Sequence, residues 1–107
     1  MSNHDLSIEH LQALCNNRNI IWSAHMLRRL QERRIFRKDV VNAILTGRII
    51  EQYPDDTPYP SCLILGESTK KRPLHVVCCT DVEVIKTITA YYPSRDKFMP
   101  DNETRKG

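Results

Sequence analysis

Apolar positions recur every three or four residues in the first half of the chain and alternate in the second. Ile8, Leu11, Leu14 and Cys15 sit at helical spacing, with Ser7 placed to cap the first turn and "CNNRN" placed to end the helix. Ser23 is the expected cap of a second helix, Ala24 to about Arg34, in which Met26, Leu27 and Leu30 fall on one arc. Ile35 and Phe36 form an apolar hinge. A third helix is expected over roughly Lys38 to Thr46. There Val40, Val41, Ile44 and Leu45 share an arc, Asp39 suits the first turn through the helix dipole, and Gly47 suits the C-terminal cap. The period then changes to that of strands at 48–53, 61–66, 73–80 and 84–92, separated by turn-rich "PDDTPYP", "ESTKKR" and "DVE".

Four strands in a row with short connections predict an antiparallel meander, and the helices are the available cover for one face. The expected fold is therefore α+β, with N-terminal helices packed on one face of a four-stranded, mainly antiparallel sheet. The expected organisation is a single domain over 7–93, with the N-terminal helix and lead-in at 1–22 and a flexible C-terminal tail at 94–107.

Composition narrows this picture. The chain has 107 residues, 40% of them hydrophobic, which suits one small core. No two of the four Cys form a C-x-x-C pair, so a zinc ribbon or thioredoxin-like motif has no support. The start does not read as a signal peptide, and the apolar runs are far below membrane-spanning length. A cytoplasmic protein with reduced thiols and no membrane contact is expected. The net charge of +3 is mild, but it is concentrated. From Arg18 to Arg48 eight basic residues face two acidic ones, a net +6. A localised basic surface of this kind suits a polyanion or an acidic partner.

Four residues are candidates for chemistry. His25, one helical turn before Arg29 and two before Arg33, starts a stripe along the flank of the second helix, where a side chain can line a groove while its helix stays anchored. His75 interrupts an apolar strand and needs a polar partner; alternation puts it on one face with Val77 and Cys79. Tyr91 shares a face with Thr89, and Tyr92 takes the other. Arg28, Arg33, Arg34, Arg37 and Lys38 are candidates for RNA-backbone contact, since Arg offers planar, bidentate recognition of phosphate. Each also has a plainer use: a solvated helix face for the cations, a hydrogen-bonded sheet histidine, sheet packing for the tyrosines. Asp55 and Asp56 fit a turn better than a metal site. No P-loop, Rossmann glycine motif or H-E-x-x-H occurs, so no cofactor and no metal is expected.

The segments "SAHMLRRLQERRI", "VVNAILTGRIIEQYPDD", "SCLILG", "RPLHVV" and "TITAYYP", in that order, resemble the bacterial domain-of-unknown-function family DUF4258. More distantly, the chain resembles the RelE/ParE-like superfamily of small toxins found with antitoxins. The resemblance implies a metal-independent mRNA endoribonuclease, acting on free or ribosome-bound RNA and neutralised by a cognate antitoxin. His25, His75 and Tyr91 are then the available acid–base groups, with Arg29 and Arg33 as charge stabilisers. The runner-up is a non-catalytic basic module docking nucleic acid or an acidic protein. A metal-binding regulator built on the histidines and cysteines has no support from spacing.

Overall fold

The computed structural model describes residues 5–95, 97, 98 and 100–105. Three helices, α1 (Ile8–Asn16), α2 (Ala24–Glu32) and α3 (Arg37–Thr46), pack with a five-stranded sheet made of β1 (Ile20–Ile21), β2 (Arg48–Tyr53), β3 (Ser61–Glu67), β4 (Pro73–Asp81) and β5 (Val84–Tyr91). The class is α+β, as the sequence pattern implies. β2 to β5 form the antiparallel meander. The expectation of four strands needs one correction: β1 adds a fifth, parallel to β5, giving the order β1-β5-β4-β3-β2. Two residues carry no period, and their pairing with Ile85 and Lys86 exists once the chain has folded back.

The helices start where the sequence places their caps. Ser7 Oγ accepts from the His10 amide and Ser23 Oγ from that of Met26, at 3.3 and 3.0 Å. α2 ends in a Schellman closure: the Ile35 N–H donates to Leu30 O and the Arg34 N–H to Gln31 O, with Arg34 itself left-handed at φ 57°. The end of α3 is served from another helix, since the Gln12 side chain donates to the Ile44 and Leu45 carbonyls, both at 3.2 Å. Gly47 does not act as a left-handed cap. Its φ is −97°, and it is there for space: a Cβ would stand 2.4 Å from Ala43 O.

The core lies between the helices and one sheet face. Leu11, Met26, Leu30, Val40 and Ile44 meet Ile64, Leu74, Val76, Cys78, Ile85 and Ala90. The four cysteines are buried and free. Two register shifts decide which side chains face the other way. One lies between Ile49 and Glu51 in β2, the other opposite Val77 and Cys78 in β5, where Ile88 is the extra residue. A bulge interrupts alternation. Ile49 packs on the core, yet Glu51 and Tyr53 pair beside Leu63 and Ser61, away from the helices. Ile85 and Ala90 are core residues, so Tyr91 turns to the face of His75.

That second face is covered by part of the segment after β5. Phe98 is 2% exposed and bridges to Arg105, and this segment packs on β2 and β4 through Arg105, Asn102 and Phe98 itself. Ion pairs Arg48–Glu103 at 2.6 Å and Arg105–Glu51 at 2.7 Å tie it down. A run of small, polar and charged residues has no local signal for this, because its partners lie far back in the chain, His75 27 residues before Asn102 and Glu51 54 before Arg105. Of the lead-in and tail, residues 1–4, 96, 99, 106 and 107 lie outside the described residues.

β3 can approach α3 because residue 66 has no side chain. A Cβ there would fall 1.9 Å from the Ala43 carbonyl oxygen, which is backbone and cannot swing away. Gly66→Ala is expected to cost about 3 kcal/mol, read as a lowered urea midpoint with the slope unchanged.

Candidate functional site

Two features stand out around the C-terminal end of β5. The first is an ionisable cluster on the sheet face away from the helices. His75 is 0% exposed, opposite Tyr91 in the β4–β5 register. Its ring meets Tyr91 edge-on at 5.3 Å and Phe98 at 4.6 Å. Its Nε2 lies 2.7 Å from the Asn102 carbonyl oxygen. A carbonyl only accepts, so Nε2 carries the hydrogen. Burial pushes the His75 pKa down, against the opposing pulls of the Asn102 bond and Glu51, so the ring is neutral near pH 7. Nδ1 then presents a bare lone pair. It is buried and has no hydrogen-bond partner among the described residues.

Carboxylate, phenols and guanidinium surround this ring. Tyr53 donates a short hydrogen bond to Glu51, and Arg105 forks onto the same carboxylate at 2.7 and 3.0 Å. The Arg105 fork holds the Glu51 carboxyl below its usual range, against burial. Burial and the bond to Glu51 push the Tyr53 phenol up to about 12. Burial likewise raises Tyr91, with Arg105 and Arg33 pulling the other way. Both phenols therefore stay protonated near neutral pH.

Arg33 joins the second helix to this face. Its Nη1 donates to Thr89 Oγ1 at 2.9 Å and to the Ala90 carbonyl at 2.8 Å. Ala90 lies beyond the stretch of β5 that β1 pairs, so Arg33 caps an open sheet edge while placing positive charge near Tyr91. Of the expected catalytic set, the structure brings His75 and Tyr91 together. His25 and Arg29 lie exposed on α2, and among the described residues no hydrogen bond, ion pair or ring contact links either to His75 or Tyr91. Arg29 instead sits 3.7 Å from Glu32. The expected cleft with His25 and Arg29 facing His75 is thus reached by Arg33 alone of the stripe. Glu51, Tyr53 and Arg105 escape the sequence reading. Glu51 and Tyr53 depend on a bulge, and Arg105 on the return of a distant segment.

The second feature is a cleft of about 720 Å³ on the other side of that edge, between the α2–α3 corner and the β3–β4 hairpin. Arg34, Arg37, Lys38, Lys70 and Arg72 line it. Arg34, Arg37 and Lys38 belong to the expected phosphate-contacting set. Arg28 lies exposed on α2, outside the cleft. Lys70 and Arg72 come from "ESTKKR", legible as basic but not as a neighbour of the helices. Among the described residues none of the five cations has an ion-pair partner. The carboxylate in this cleft, Asp39, is occupied: Oδ2 accepts from the Phe36 amide at 3.0 Å, and Oδ1 accepts from the Thr69 amide and hydroxyl at 2.9 and 2.6 Å. Burial opposes its charge, but the Thr69 and Phe36 hydrogen bonds and nearby Lys38 outweigh it and hold the carboxyl low. No group of metal-ligand type side chains gathers among the described residues, and no helix there is long and apolar enough to cross a membrane.

Two measurements follow. His75 is held below its unfolded value of 6.5, so its contribution to stability is present above that pH. That contribution is lost as pH falls below 6.5 toward the folded pKa, because the unfolded chain takes the proton first. The urea midpoint is expected to drop more between pH 7.5 and 5.5 in the wild type than in His75→Gln. Arg34 holds a left-handed conformation that glycine adopts freely. Arg34→Gly is expected to raise stability by roughly 0.5–1 kcal/mol in a urea titration.

Comparison with known proteins adds one match. A family described as a domain of unknown function, DUF4258, matches residues 22–92, a span holding α2, α3 and β2 to β5 with Arg33, Glu51, Tyr53, His75 and Tyr91. No curated protein and no solved structure matches the chain. With most of its residues inside that match, the chain belongs to the DUF4258 family.

Proposed function

We propose that the protein is a metal-independent endoribonuclease of the toxin type, built like the RelE toxins with helices behind a catalytic sheet face, and neutralised by a cognate antitoxin. The observation that carries this reading is the His75 Nδ1 lone pair, buried without a donor beside a protonated tyrosine and two guanidinium groups. RNA cleavage needs that set. Nδ1 takes the proton from a ribose 2′-hydroxyl, and the 2′-oxygen forms a bond to the adjacent phosphorus. The bond from phosphorus to the 5′-oxygen breaks, and Tyr91 protonates the leaving oxygen. Arg33 and Arg105 stabilise the charge that develops on the phosphoryl oxygens. The products are a 2′,3′-cyclic phosphate and a 5′-hydroxyl. Phe98 stands over His75, so RNA enters as the Phe98 ring moves aside, while the Asn102 carbonyl keeps the hydrogen on Nε2. His25 and Arg29 continue the Arg33 stripe and meet the incoming strand.

One observation favours the second reading, a non-catalytic module for nucleic acid or an acidic protein: among the described residues the cleft cations have no ion-pair partner.

The test uses purified protein, end-labelled RNA and EDTA. Wild type is expected to cut RNA to cyclic-phosphate ends and to spare the same strand carrying 2′-deoxyribose at the cut site. His75→Ala is expected to slow cutting by roughly 10²–10⁴-fold, with a smaller loss for Tyr91→Phe. Intact RNA with both wild type and Phe98→Ala, which thins the cover over His75, overturns the proposal, as does undiminished cutting by His75→Ala.

A further inference from the structure

We infer that the cleft between the α2–α3 corner and the β3–β4 hairpin is a binding site for the sugar–phosphate backbone of single-stranded RNA, with one base stacked on Phe36. The inference rests on the RNA reading above and adds a second site to it, on the opposite side of β5 from His75.

Charge is the first support. Arg34 and Arg37 flank the α2–α3 corner, Lys38 follows in the first turn of α3, and Lys70 and Arg72 come from the hairpin opposite. Like charges crowded around one concavity repel, and folding alone gives no reason to gather them without counter-charge. The acidic side chain among them is Asp39, whose single charge lies beside Lys38 and whose oxygens are held by Phe36 and Thr69, so five cations against one anion leave the cleft positive. Those bonds join α3 to the hairpin, so the two walls of cations are held at a set separation. Preorganised walls bind an anion without first ordering a loop.

Aromatic surface is the second support, and it selects nucleic acid over an acidic peptide. Phe36 is 62% exposed at the start of α3, where capping residues are usually small and polar. Its amide is capped from Asp39, so the phenyl ring has no folding task there. Lys38 Nζ lies 5.6 Å from the ring centroid. Across the cleft the Arg72 guanidinium carbon lies 3.7 Å from the Tyr92 ring centroid, which holds that cation at the cleft wall. Cations beside the exposed Phe36 ring match a single strand, whose unpaired bases can stack.

Continuity is the third. Arg33 and Arg34 are consecutive, as are Tyr91 and Tyr92. In each pair the first residue serves the His75 face and the second lines the cleft. A strand held in the cleft has a short path over the end of β5 to His75.

Fluorescence anisotropy with a labelled 2′-O-methyl oligoribonucleotide, which cannot be cut through its 2′-oxygen, tests this without catalysis. Arg37→Glu/Lys70→Glu is expected to weaken binding by more than roughly tenfold and to lower the slope of log affinity against log salt by at least about one. Phe36→Ala is expected to weaken binding several-fold with an unchanged salt slope. His75→Ala is expected to bind as the wild type does. The charge-changed protein must keep the wild-type melting midpoint; if it does not, Lys70→Gln carries the test with a smaller expected loss. Binding by Arg37→Glu/Lys70→Glu equal to wild type overturns the inference. So does competition by poly-glutamate as effective as that by unlabelled RNA, which would assign the cleft to an acidic protein. If no RNA is cut yet the oligonucleotide binds as described, the catalytic reading fails and this one stands. If RNA is cut equally by wild type and the charge-changed protein, with equal binding, the reverse holds.

Discussion

Asp39 spends both carboxylate oxygens inside the protein. One caps the start of α3 through the Phe36 amide, and the other accepts from the amide and hydroxyl of Thr69 in the β3–β4 hairpin. A carboxylate with three such donors stays charged despite its burial. The result is a fixed joint between the helical layer and one end of the sheet. Below the joint, Gly66 lets α3 lie on β3 at backbone contact. Above it, the cations of two unrelated segments face each other across the cleft. Loss of the carboxylate would leave the hairpin and the corner to drift apart under their own repulsion.

The two sheet faces are built on different terms. The helix side is an apolar core in which Leu74, Val76 and Ile64 meet Val40 and Ile44. The other side buries polar groups under a thin cover of Phe98, Asn102 and Arg105. A buried polar atom without a partner costs about 1–3 kcal/mol, and His75 Nδ1 is such an atom. Its neighbours Glu51, Tyr53 and Arg105 are bonded to one another, and among the described residues His75 Nδ1 is the buried side-chain polar atom without a partner. A protein that leaves one basic atom unmatched in an otherwise matched network keeps an acceptor ready for a proton from outside.

Position along β5 connects the two. The strand's free edge is closed by Arg33 instead of by another strand, because β1 pairs with only its first part. The Schellman turn then sends Arg34 to the far side. A charged residue in a left-handed conformation is a local cost, and its return is a cation in the cleft.

Much of the fold was legible in the sequence. Ser7 and Ser23 cap the helices they precede, the helical period marks Leu11, Met26, Leu30, Val40 and Ile44 as core, and alternation delimits β2 to β5 closely. These are local properties, written in spacing and side-chain type. His75 and Tyr91 were also legible as candidates, since a histidine in an apolar strand needs a polar neighbour. Tertiary structure decided the rest. Two residues at Ile20 and Ile21 become a strand only beside Ile85 and Lys86. Bulges at Ile50 and Ile88 reverse the side on which Glu51, Tyr53 and Tyr91 emerge, and the strict alternation of an ideal strand would place them otherwise. Phe98 meets the His75 ring and Arg105 packs over Phe98, contacts made by a segment after the last strand, where sequence spacing carries no information about contact. Which cations share a cleft, and which histidine meets a tyrosine, depends on closure between distant segments, and that is set by how the whole core packs.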